Sequence, residues 1–404
     1  MSYINLKYKP KGNDLIAEFS VEPCNKQVAE AIAGESSIGT WTSLTTLTPQ
    51  IRRKLAAKVF SIDKKEKTIK IAYSVELFEP GNMPQILSSI AGNIFGMKLI
   101  KNLRLEDIIF PKELIKSFKG PEIGIKEIRK LLRVKKRPLV GTIIKPKLGL
   151  SSKEHAKVAY EAWTGGLDLV KCDENLTSQK FNLFETNIKE TLKMLKKAEK
   201  ITGEKKIYVP NVTAETKEMI KRAKFVKKSG GNCVMMDIIT EGWSGLQTLR
   251  NEKLGLIIHA HRAGHGMFTR GKHGMSMLTI AKIARLIGVD QIHIGTANVG
   301  KMESGEEETE EINLFLKSKW YHIKPVFSIC SGGLHPGSIP KLVKMLGKDI
   351  IIQAGGGVHG HPQGTRAGAK AMRQALDATM QNVSLAEYAK KHPELKAALR
   401  KWVK

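Results

Sequence analysis

Lys171, Asp173 and Glu174 stand almost side by side in the run LDLVKCDEN. If that run is a strand, alternation puts Lys171 and Asp173 on one face, turns Cys172 away, and leaves Glu174 where the strand ends. A lysine beside two carboxylates reads first as an ion pair. A second reading has the amine add CO2, which converts a cation into a carbamate; three oxygens then suit the octahedral shell of Mg2+ and leave positions for water and substrate. An ordinary lysine titrates near pH ~10.4, so this second reading requires surroundings that favour the neutral amine.

Other groups with chemistry in them follow along the chain. GTIIKPKLGLS places Lys145 and Lys147 on one face, and HAHRAGH places His259 and His261 together with Arg262 beside them and His265 beyond. A His-x-His pair can ligate zinc, and with a carbamylated lysine it is similar to metal-dependent amidohydrolases. Those enzymes carry the pair on their first strand, whereas here it lies on the fifth, and that reading leaves Asp173 and Glu174 without a role. Two glycine stretches, Ser331-Gly332-Gly333 and Gly355-Gly356-Gly357, are either simple turns or backbone N–H cradles for phosphate. GTANVGKMESGEEE surrounds Lys301 with small residues, as a lid that delivers a cation or as an exposed loop. HGHPQG, with His359 and His361, reads as a structural turn.

These residues need a scaffold. From about residue 138 the chain repeats one unit eight times: a β-branched apolar run, a polar or glycine-rich stretch, then a segment of helical period. The predicted strands are 138–146, 167–174, 205–212, 231–239, 254–263, 290–296, 324–333 and 349–357. Apolar strands alternating with amphipathic helices predict a parallel sheet in an α/β protein, either a doubly wound open sheet or a (β/α)8 TIM barrel. The barrel is favoured because Lys145, Lys171, Asp173, Glu174, His261, Arg262, His293, Ser331 and Gly355 all fall at C-terminal strand ends, the face on which barrels build active sites. The expected division is a small N-terminal α+β, ferredoxin-like domain over 1–125 and the barrel with a helical tail over 126–404. In the first part NDLIAEFSVEP and TIKIAYSVELFEP read as strands, and LEDIIFPKELIKSFKGPEIGIKEIRKLL as a connector.

Composition bounds the rest. Of 404 residues, 41% are hydrophobic and 26% charged, which suits a folded globular chain and not a disordered one. No apolar run reaches the roughly 18–20 residues that span a bilayer, so no membrane partner and a cytoplasmic location are expected. Four cysteines without CxxC spacing suggest neither a disulfide framework nor a zinc finger. The 67 basic against 39 acidic residues leave a net charge of +28, which attracts anions generally. The lysines are spread through helices, so no specific nucleic-acid partner is expected.

Nine blocks, in order, carry a resemblance over nearly the whole chain: GESSIGTW, SIAGNIFG, GTIIKPKLGLS, GGLDLVKCDEN, HAHRAGHG, QIHIGT, VGKMES, SGGLHPG and QAGGGVHGHPQGTRAGA. With them the chain resembles the ribulose-1,5-bisphosphate carboxylase/oxygenase (RuBisCO) large subunits, most closely the compact archaeal kind. The resemblance implies carboxylation of ribulose 1,5-bisphosphate to two 3-phosphoglycerates, with oxygenation by O2 as a side reaction, in the ribose metabolism of AMP or nucleosides. It implies that Lys171 carries CO2 as a carbamate, that this group with Asp173 and Glu174 binds Mg2+, and that the carbamate takes the C3 proton. It gives Lys145 and His261 proton-transfer roles and Lys147 a supporting one. Arg262 and His293 would hold one phosphate; Thr40, Trp41, Lys301, Gly333, Gly355 and Gly356 would hold the other, with Gly332 in the same loop. Ser331 would meet a substrate hydroxyl, Lys301 would close over the site and stabilise the new carboxylate, positioned by Glu35, and Asn93 would lie near substrate. It further implies a homodimer, or an assembly of dimers, with active sites at the dimer interface and no small subunit. RuBisCO-like enolases and isomerases share the fold and are the alternative. Cys172, Ile143 and Ser304 depart from residues common elsewhere in the family.

Overall fold

The computed structural model describes residues 2–301 and 305–403, so Ser304 lies outside the described residues. The chain forms two compact units, one of Met1–Gly120, Gly264–Ile287 and Trp320–Ile323, the other of Pro121–Ala263, Gly288–Lys319 and Lys324–Lys404.

The first unit is built on a five-stranded sheet of β1 (Asp14–Glu22), β2 (Lys58–Asp63), β3 (Thr68–Ser74), β4 (Asn102–Ile109) and, from much later in the chain, β10 (Gly274–Met275). Its order is β10-β4-β1-β3-β2, antiparallel except for the β10–β4 pair. β4 runs into the start of the segment expected to be a connector, which begins at Leu105. Its alternation breaks because Glu106 bulges: Leu105 faces Phe19 and Asp107 faces Glu18, so Leu103, Leu105 and Ile108 are the buried positions. The helix Met277–Ile287 is tied to β4 by the Ser276 and Thr279 hydroxyls, which donate to the Glu106 carbonyl at 2.5 and 2.9 Å.

The second unit is the (β/α)8 barrel. Its strands are β5 (Leu139–Ile143), β6 (Leu169–Lys171), β7 (Ile207–Val209), β8 (Cys233–Asp237), β9 (Ile257–His261), β11 (Gln291–His293), β12 (Phe327–Ser331) and β13 (Ile350–Gln353), each within a predicted run. All neighbours are parallel, in the order β7-β6-β5-β13-β12-β11-β9-β8. Met235 closes the ring: its N–H donates to the Pro210 carbonyl at 2.7 Å, and its carbonyl accepts from Val212 N–H at 3.0 Å. The doubly wound alternative is thereby excluded. Leu139, Leu169, Ile207, Ile257, Phe327 and Ile351 fill the barrel's lower interior, plugged by Ile128 and Leu132 of the helix Gly124–Leu132. Apolar side chains at that level push the polar ones to the other end.

One helix starts earlier than expected. The segment after Lys301, read as loop through GEEE, becomes helical at Glu306, where three glutamates occupy a first turn that favours negative charge. The tail is two helices, Leu385–Ala389 and Pro393–Trp402, the second begun by a proline at its first position.

Candidate active site

β6 ends on Lys171, which is fully buried. Its Nζ donates to the Cys172 carbonyl at 2.8 Å and lies 3.3 Å from Glu174 Oε2. Burial pulls the amine below the ordinary lysine pKa against the opposing pull of Glu174 and Asp173, which is the bias towards a neutral nucleophile that CO2 addition requires. Burial also pushes the Glu174 carboxyl up, but Lys171 and His261 outweigh it and hold the group at about 2. Just past β5, Lys145 Nζ donates to Asp173 Oδ2 at 2.5 Å. Lys147 reaches the same rim, 3.5 Å from Asn175 Oδ1 and 3.9 Å from Glu174 Oε1.

The last residues of β8 and β9, Asp237 and His261, are register partners. His261 Nδ1 meets Asp237 Oδ1 at 2.5 Å, which leaves Nε2 directed to the lysine–carboxylate cluster, 3.7 Å from Glu174 Oε2. A deeper chain of hydrogen bonds runs from Gln291 Oε1 to His259 Nδ1 (2.8 Å), from His259 Nε2 to His293 Nε2 (2.9 Å), and from His293 Nδ1 to Ser331 Oγ (2.8 Å). Burial holds both rings far below the usual histidine pKa, so both are uncharged. Arg262 follows at the end of β9, where burial lowers its guanidinium to about 10.

The glycine turns stand on the same face. Gly332 and Gly333 have φ of 113° and 76°. Lys301 N–H donates to the Gly332 carbonyl at 3.0 Å, and a Cβ on Gly333 would come within 2.7 Å of Lys301 N. Gly355 packs against Lys145, its Cβ position 3.1 Å from Cε, while Gly356 faces open space and begins the turn Gly356–His359. Leading amides of such a turn have no partner of their own and point outwards.

Lys145, Lys147, Lys171, Asp173, Glu174, His261, Arg262, His293, Lys301, Ser331, Gly332, Gly333, Gly355 and Gly356 thus all belong to the C-terminal face of the barrel unit. Glu35, Thr40, Trp41 and Asn93 belong to the first unit instead. There Glu35 closes the helix Lys26–Glu35 and accepts from Asn93 Nδ2 at 3.4 Å, and Trp41 is 92% exposed. Cys172 turns away from the cluster to Tyr208 Oη at 2.9 Å. His359 bonds Thr142 and Thr365, and His361 bonds the Glu394 carbonyl and Gln363 N–H, so HGHPQG is a tied-down turn.

Sequence reading missed Asp237, although it ends a barrel strand as the other site residues do, and left His259 and Gln291 without a role. Among the described residues no three His, Cys, Asp or Glu side chains converge as a metal cage. Asp173 and Glu174 supply two oxygen donors, and Lys171 is the adjacent group able to become a third. The donor set therefore fits Mg2+ once the amine is carbamylated.

A barrel with its ionisable side chains and glycine turns gathered at the C-terminal ends of the strands defines an enzyme of the (β/α)8 class. Residues 124–402 match the family described as "Ribulose bisphosphate carboxylase large chain, catalytic domain", and residues 2–114 match its "N-terminal domain". A ribulose bisphosphate carboxylase of Methanocaldococcus jannaschii is 52% identical, with all of both chains covered. The octameric enzyme of Pyrococcus horikoshii, crystallised with sulfate, superposes with a TM-score of 0.95 at 51% identity, over 99% of this chain and 96% of its own. A dimeric archaeal Rubisco from Hyperthermus butylicus gives 0.93 at 45% identity, over 99% and 98%. The chain belongs to the ribulose bisphosphate carboxylase large-chain family.

Proposed function

We propose that the chain adds CO2 and water to ribulose 1,5-bisphosphate, yielding two molecules of 3-phosphoglycerate, with attack by O2 as a side reaction. The observation that carries this reading is the buried amine of Lys171, 3.3 Å from Glu174, at the end of a barrel strand and beside Asp173. Adding CO2 to that amine releases one proton and leaves a carbamate oxygen facing the two carboxylates. Carbamylated Lys171, Asp173 and Glu174 would hold Mg2+. Bound there, the ion supplies a Lewis acid that polarises the substrate's carbonyl and hydroxyl oxygens.

The chain's own groups do the remaining work. His261, oriented by Asp237, presents Nε2 to move a proton at a substrate hydroxyl. Lys145, held over Asp173, exchanges a proton with the enediol and with the final carbanion, and Lys147 adds positive charge beside it. Ser331 offers its hydroxyl, ordered by uncharged His293. Arg262 and His293 serve one phosphate. The amides at Gly332, Gly333, Gly355 and Gly356, with Lys301, serve the other. Thr40, Trp41, Glu35 and Asn93 act from the other subunit of a homodimer, a role supported by the exposure of Trp41 and by the dimeric and octameric assemblies of the relatives. No small subunit is required. The pathway served is the ribose metabolism of nucleotides in the cytoplasm.

The test is incubation with Mg2+ and labelled bicarbonate, then ribulose 1,5-bisphosphate, counting acid-stable label in 3-phosphoglycerate. Label in that product is the expected result. Exchange of the substrate's C3 proton without label, with Lys301→Ala fully active, would instead assign an enolase or isomerase.

A further inference from the structure

The opposite end of the barrel has a cleft of about 530 Å3, formed where the chain enters β5, β6 and β7. Its volume falls within the roughly 300–1,000 Å3 typical of small-molecule sites. One side is the run Arg133-Val134-Lys135-Lys136-Arg137. The acids in the lining are already engaged. Asp168 takes both branches of Arg137 at 2.6 and 2.7 Å. Glu204 holds the buried Lys206 at 2.6 Å, and Arg373 spans Glu204 and Asp377 at 3.4 Å each. Arg133, Lys135 and Lys136 have no carboxylate partner among the described residues.

Three uncompensated cations in one short loop repel each other, and an exposed loop relieves that by moving apart. This loop is held. Arg133 occupies the left-handed conformation that ends the helix Gly124–Leu132. Arg129 donates to the Val134 and Arg137 carbonyls at 3.1 and 3.0 Å, and is itself anchored on Asp349 at 2.6 and 2.8 Å. The backbone that carries the cations is therefore fixed, while, among the described residues, the exposed side chains of Arg133, Lys135 and Lys136 have no anion of the protein's own beside them. Beside the cations the half-buried Val134 and Met380 give the cleft a small apolar wall. Clustered positive charge next to an apolar wall suits a ligand with a phosphate chain at one end and a flat, weakly polar body at the other.

We propose that this cleft binds a nucleoside di- or triphosphate, at a site separate from the catalytic face. Arg133, Lys135 and Lys136 take the phosphates, and the base lies on Val134 and Met380. The inference does not depend on which reaction the other face performs.

The test is isothermal titration of the full-length protein with ADP and, separately, with inorganic pyrophosphate. The expected result is one ADP per chain, bound at least about tenfold tighter than pyrophosphate because of the apolar wall, and not displaced by ribulose 1,5-bisphosphate. The triple variant Arg133→Ser/Lys135→Ser/Lys136→Ser weakens ADP by about ten- to a hundredfold, as three exposed charge contacts of a few-fold each predict. Its unchanged circular dichroism and turnover show that the fold survives. The proposal is overturned if ADP does not saturate, binds the triple variant equally, binds no tighter than pyrophosphate, or is displaced one-for-one by ribulose 1,5-bisphosphate. Displacement of ADP by a long single-stranded RNA that binds more tightly also overturns it, since the cleft would then be part of a polyanion track.

Discussion

Replacing Gly333 by alanine separates two costs that the structure allows to be weighed independently. Gly333 has φ of 76°, and Gly203, which ends the helix Phe184–Thr202, has φ of 69°. Each alanine variant meets the left-handed penalty of roughly 1–2 kcal/mol. Nothing lies within 4 Å of a Cβ at Gly203, whereas at Gly333 it would be 2.7 Å from Lys301 N and Cγ. Gly203→Ala should therefore lose only the conformational term, a fall in Tm of roughly 1–2 °C at about 1 °C per kcal/mol for a chain of this length, with carboxylation unchanged. Gly333→Ala must also displace Lys301 and the bond it makes to the Gly332 carbonyl. A shift of about 1 Å in a positioning group costs on the order of 100-fold in rate, so kcat/KM should fall by about that factor. The assays are label incorporation into 3-phosphoglycerate and calorimetric melting of both variants. If Gly333→Ala retained the kcat/KM of Gly203→Ala, Lys301 would not act from the position it holds, and the argument from that contact would fail.

Asp237→Asn should lower kcat/KM by about 10–100-fold, the usual effect of losing a group that orients a catalytic one, with melting little changed; an unaltered rate would show that His261 needs no such support. Arg137→Ala leaves Asp168, almost fully buried, without its bidentate partner, and should destabilise the fold by about 3–5 kcal/mol in denaturant titration, while turnover per folded molecule stays constant. Removing divalent cations with a chelator should abolish carboxylation, and Mg2+ should restore it; activity persisting in the chelator would contradict the Lys171–Asp173–Glu174 site.

The barrel was legible because its strands are buried on both faces and read as unbroken apolar runs, with polar residues only where each run stops. β4 was not, because the bulge at Glu106 puts two successive polar residues where alternation calls for one. Lys171, Asp173 and Glu174 announce themselves by adjacency. The pairing of His261 with Asp237 depends on the β8–β9 register, which no local pattern encodes. Likewise Gly333 was recognisable as a turn, but its role as the seat of Lys301 is a contact between two separate loops.

The late arrival of β10 sets an order of events during synthesis. β4 is complete at Ile109, yet its outer neighbour begins only at Gly274. At about 5–20 residues per second the ribosome needs on the order of 10–30 s to cover that stretch. Throughout that interval the first sheet is one strand short, and the backbone N–H and C=O groups along one side of β4 are free to pair with another nascent chain. Five of the barrel's eight strands, β5 to β9, are translated before β10 and three after it, so the smaller sheet can be finished only once synthesis of the barrel is well under way.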